Sequence, residues 1–81
     1  MKTNIKVRHQ DGRIIEILNA EIVNDKDRKC RYHEFTQSKR ITDWLEETEF
    51  KGPFFIGDKE VFFSIETSDS GKRVGAFVAK M

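Results

Sequence analysis

The stretch KGPFFIGDKEVFFSIET, Lys51–Thr67, decides how the rest of the chain is read. Gly52-Pro53 stops any helix before it, Gly57-Asp58 reads as a turn, and Val61–Thr67 reads as a strand. Phe54-Phe55-Ile56 is a shorter strand ahead of the turn. Successive side chains on a strand point to opposite faces. Each pair, Phe54-Phe55 and Phe62-Phe63, therefore sends one ring to each side. Val61, Phe63 and Ile65 form a uniformly apolar face, which predicts the core. Phe62 is left on a face shared with Ser64 and Glu66. On the short strand Phe54 with Ile56 is the more apolar choice for the inside, so Phe55 is expected outside.

Upstream, SKRITDWLEETEF (38–50) is the only helical stretch. Ile41, Trp44, Leu45 and Thr48 fall at i, i+3, i+4 and i+7 and share one helix face. Ser38 or Thr42 can serve as N-cap, and acids in the last turns oppose the helix dipole, so a short, frayed helix is expected. Before it, Ile5 and Val7 alternate with Lys6 and Arg8. Asp11-Gly12 is a strong hairpin signal, because Gly accepts the positive φ of a tight turn. RIIEIL (13–18) returns with Ile15 and Ile17 on one face and Ile14, Glu16 and Leu18 on the other, the pattern of a strand covered on both sides. Asn19-Ala20 breaks the run and Glu21-Ile22-Val23 resumes it. Asn24–Lys29 is a polar loop. RKCRYHEF (28–35) alternates again, with Cys30, Tyr32 and Glu34 opposite Arg31, His33 and Phe35. Downstream, Ser68–Gly71 is a turn and Arg73–Lys80 a last strand. There Val74, Ala76 and Val78 fit the core, leaving Arg73, Gly75, Phe77 and Ala79 outward.

The order is three strands, one helix, then two or three strands, which predicts a mostly β, α+β fold. Short connections make the sheet antiparallel. A small curled sheet or an OB-like barrel follows, because closure removes edges. A two-layer α+β sheet of β-grasp type is the alternative.

Eighty-one residues predict a single domain over 1–81. Charged residues reach 36%, yet seven Phe and one Trp argue against disorder. The net charge of +1 gives no global field toward nucleic acid or membrane. The only cysteine, Cys30, excludes an internal disulfide, and no apolar run suggests a signal sequence or a span, so a cytoplasmic protein is expected.

Catalytic chemistry has little to stand on. Cys30 and His33 lie an odd number apart on one strand and face opposite sides. Cys30 reads as a small buried apolar residue, and His9 as a solvated histidine beside its turn. Three Cys and His residues are too few for a closed structural zinc site. Asp43, Glu46, Glu47 and Glu49 read as the solvated face of the helix. With no phosphate-binding loop either, neither enzyme, metal nor small-molecule cofactor is implied.

The remaining feature is an aromatic outer face. Its expected members are Phe55, Phe62 and Phe77 near Arg73, with Arg31 and His33 added from the preceding strand. A basic strip, Lys26, Arg28, Lys29, Arg31, Lys39 and Arg40, lies close in sequence. Exposed aromatic patches mark protein interfaces, which predicts a binding module that takes a protein partner or a second copy. Rings with cations also suit single-stranded nucleic acid, the alternative. A third outcome is a second core layer, with the helix and Trp44 covering these rings.

KGPFFI (51–56) and VFFSI (61–65) resemble, in order, two runs of the cold-shock domain, a small OB-type barrel that binds single strands. The likeness covers under a quarter of the chain. Pro53 stands where the first stacking aromatic would be, a helix precedes the motif, and too few residues follow for the rest of that barrel. It therefore does not assign the chain to that family.

Overall fold

The computed structural model describes residues 2–68 and 70–80. Six strands, β1 (Lys2–His9), β2 (Ile14–Asp25), β3 (Cys30–Phe35), β4 (Phe54–Ile56), β5 (Lys59–Thr67) and β6 (Arg73–Lys80), form one closed barrel. Their order around it is β1-β2-β3-β6-β5-β4, and every neighbouring pair is antiparallel. The chain thus makes two three-stranded meanders, with helix α1 (Lys39–Glu47) between them. This is a small OB-like, β-rich α+β fold. The β-grasp alternative is not what forms, because the sheet closes on itself instead of staying open in two layers.

Turn chemistry sets the registers. Gly12 takes φ 99 in the β1–β2 hairpin, where Asp11 Oδ1 accepts from the Arg13 amide at 3.0 Å. Gly57 opens the two-residue β4–β5 turn at φ 60, so the flanking strands keep their twist.

β2 is one twelve-residue strand, not two. Its interruption is a bulge. The β1–β2 register shifts between Thr3 and Ile5, and Asn19 sits in the left-handed region at φ 59. The Asn19 amide donates to Asn4 Oδ1 at 3.1 Å. The extra residue swaps the faces, so Ile15 and Ile17 point inward before it and Ala20 after it. Ile14 and Leu18, expected under a second layer, are exposed instead: the barrel's outside is uncovered there.

The interior is aromatic. Phe77 is fully buried at 0% exposure, stacked on Phe35 at 5.4 Å and flanked by Phe54 at 5.6 Å and Phe63 at 5.8 Å. Helix α1 starts at Ser38, whose hydroxyl accepts from the Ile41 amide. Ile41, Trp44, Leu45 and Thr48 are all buried, as the periodicity predicts. Trp44 meets Phe54 at 5.6 Å and shares one cluster with Val7, Ile17 and Phe77. A helix can reach the inward side chains of a closed barrel only through an end, so α1 caps the barrel and leaves its outer wall bare.

Candidate functional site

β6 corrects the expected outer face. Phe77 and Ala79 belong to the interior cluster, while Ala76 and Val78 form a separate outer cluster with Cys30, against which Tyr32 packs. The expected assignment of this strand is therefore inverted. Both of its faces are apolar, and size decides between them: the interior needs a large ring to fill it. Val74, also expected inside, shares the outer parity with Ala76 and Val78.

Arg31 and His33 are likewise not beside Phe62. His33 pairs with Phe77 across the β3–β6 ladder and shares its inward face. Arg31 holds Asn24 Oδ1 at 3.0 Å through its Nε. Arg73 lies opposite Thr67 at one end of the β5–β6 ladder, and Phe62 lies opposite Val78 at the other. Of the three predicted rings, only Phe55 and Phe62 stay outside. Phe55 is half-buried and carries the Arg8 guanidinium over its ring at 4.7 Å. Phe62 is 52% exposed. Trp44 does not cover them.

What surrounds Phe62 is a row that sequence reasoning missed. Val23 pairs with Tyr32, Tyr32 with Val78, and Val78 with Phe62, so one line of outward side chains crosses β2, β3, β6 and β5. Beside it lies a hollow of about 350 Å³ lined by Glu60, Val61, Phe62 and Val78. Arg28 reaches over the row. Its Nε donates to Asp25 Oδ2 at 2.7 Å, its Nη2 pairs with Glu66 on β5, and its guanidinium stands 5.6 Å from the Tyr32 ring. These two carboxylates hold the Arg28 pKa well above its usual value, and the Arg28 contact lowers that of Asp25. Burial, then Glu34, pushes the Tyr32 phenol up, so its hydroxyl stays neutral.

The basic strip is largely committed. Besides Arg28 and Arg31, Lys39 pairs with Asp43 at 2.7 Å and Arg40 donates to the Glu16 carbonyl at 2.8 Å. His9 is not solvated. Nε2 donates to the Lys51 carbonyl at 2.8 Å, Nδ1 accepts from the Asp11 amide, and the ring packs on Phe54. A second groove, about 360 Å³ between β2 and α1, is bordered by Ile14, Glu16, Arg40, Asp43, Trp44 and Glu47. Two of its carboxylates already have cations at hand, Glu47 with Arg13 at 3.6 Å and Asp43 with Lys39. Among the described residues no three His, Cys, Asp or Glu side chains are grouped to hold a metal. No helix among them is long and apolar enough to cross a membrane.

The chain matches no protein-family model, no curated protein and no solved structure.

Proposed function

We propose that this protein is a non-enzymatic binding module that self-associates through the outer face of β3, β6 and β5. The observation that carries this reading is the pairing of a knob with a hole. Phe62 projects from the wall beside the hollow it shares with Val78. A patch holding both is self-complementary: two copies related by a two-fold axis can each place Phe62 in the other's hollow. The apolar row behind it supplies ground for the contact, and the Arg28 bridge spans that ground from Asp25 to Glu66. A different protein with an apolar anchor is the competing occupant. The lone free cysteine supports a reducing, cytoplasmic setting.

Single-stranded nucleic acid remains the second reading, favoured by the Arg8–Phe55 stack on the same outer wall. It draws less support, because four cations of the nearby strip already have partners.

Sedimentation of the wild type and Phe62→Asp across a concentration series tests the proposal. The expected result is a dimer that Phe62→Asp converts to monomer without loss of the fold. A wild type that stays monomeric at every concentration overturns self-association. Salt-sensitive binding of an oligonucleotide by that monomer would move the assignment to nucleic acid.

A further inference from the structure

His33 has a place that favours its neutral form. It lies on the inward face of β3, opposite Ile22 on β2 and Phe77 on β6. Its Nδ1 is buried and has no hydrogen-bond partner among the described residues. An unprotonated ring nitrogen tolerates this, since it is only an acceptor. Protonation makes the same atom a donor, and a buried donor without an acceptor is costly.

The charges around it add to the effect. Neither Ile22 nor Phe77 can titrate. Phe63, which packs on Phe77 from β5, cannot either. The charged group that acts on the ring is Arg31, two residues away on the same face and held in place by Asn24. A protonated His33 would thus be a second cation beside a fixed one. Burial first, and Arg31 second, lower the His33 pKa.

We infer that the β3–β6 seam is a pH-sensitive switch, closed while His33 is neutral and opened when the ring takes a proton. The unfolded or opened chain binds that proton near its ordinary pKa of about 6.5. The closed barrel binds it only at lower pH. Stability is therefore full above about 6.5, falls as the pH drops below it, and levels off below the closed-state pKa. The seam also carries Tyr32 and Val78 on its outer side, so opening disperses the apolar row.

Denaturant unfolding at pH 7.5, 6.5 and 5.5 tests this for the wild type, His33→Gln and His33→Leu. Below about 6.5 the wild-type folding constant is expected to fall by up to tenfold per pH unit relative to both variants. Amide exchange protection should drop at Tyr32–Phe35 and Ala76–Val78 while it holds at Ile15–Ile17. Equal pH slopes in all three proteins overturn the switch. So does a His33 ring that titrates at or above 6.5 by NMR, or protection that falls uniformly over the barrel.

Discussion

The ring of Phe35 on β3 occupies the space that a Cβ on Gly75 of β6 would need. Two of its carbons lie 2.6 Å from that position, and the two residues are direct partners across the ladder. Phe35 cannot simply swing away, because it is buried and stacked on Phe77. Gly75→Ala is expected to cost about 1–3 kcal/mol, the usual penalty of overpacking a core. Urea unfolding measures it, and a change under about 0.5 kcal/mol would show that the ring is free to move.

Phe62 and Phe77 are chemically the same side chain on adjacent strands, yet truncating them should have opposite signatures. Phe77→Ala removes a fully buried ring and is expected to cost about 3–5 kcal/mol. Phe62→Ala leaves stability within about 0.5 kcal/mol and weakens self-association instead. Calorimetry and sedimentation on both variants separate the two effects.

At the bulge, Asn19 is held left-handed and its amide is satisfied by Asn4. Asn19→Val should cost about 1–2 kcal/mol, because a β-branched residue resists positive φ. Asn19→Gly should be nearly neutral. Thermal melts of the two variants settle whether conformation or side-chain chemistry keeps this residue.

Arg28 joins the β2–β3 connection to β5 through Asp25 and Glu66. Arg28→Ala should lower the melting temperature modestly, and by less in high salt, where exposed ion pairs are screened. A loss that does not change with salt would mean that packing over Tyr32, not charge, is what Arg28 contributes.

Much of the fold was legible because its signals are local. Asp11-Gly12, the spacing of Ile41, Trp44, Leu45 and Thr48, and Gly52-Pro53 each act over a few residues. The parity of β6 was not legible, since Val74, Ala76 and Val78 and the alternate set with Phe77 are both apolar. Gly75 held the missing clue: a glycine inside a strand marks a close approach, and it shares a face with Phe77. The Val23–Tyr32–Val78–Phe62 row could not be read locally. It depends on which strands become neighbours and on a one-residue bulge.

The barrel is joined along two very unequal lines. Six residue pairs tie β3 to β6, but only three tie β1 to β4. With His33 neutral the shorter line is the weaker one, and the halves separate only when both have parted. A molecule opened along both lines presents two intact halves on a tether that runs through α1, and a second such molecule offers the matching halves. Heating a concentrated sample and cooling it should therefore yield interlocked dimers with exchanged halves. These would persist on dilution, whereas a pair held only by Phe62 would come apart.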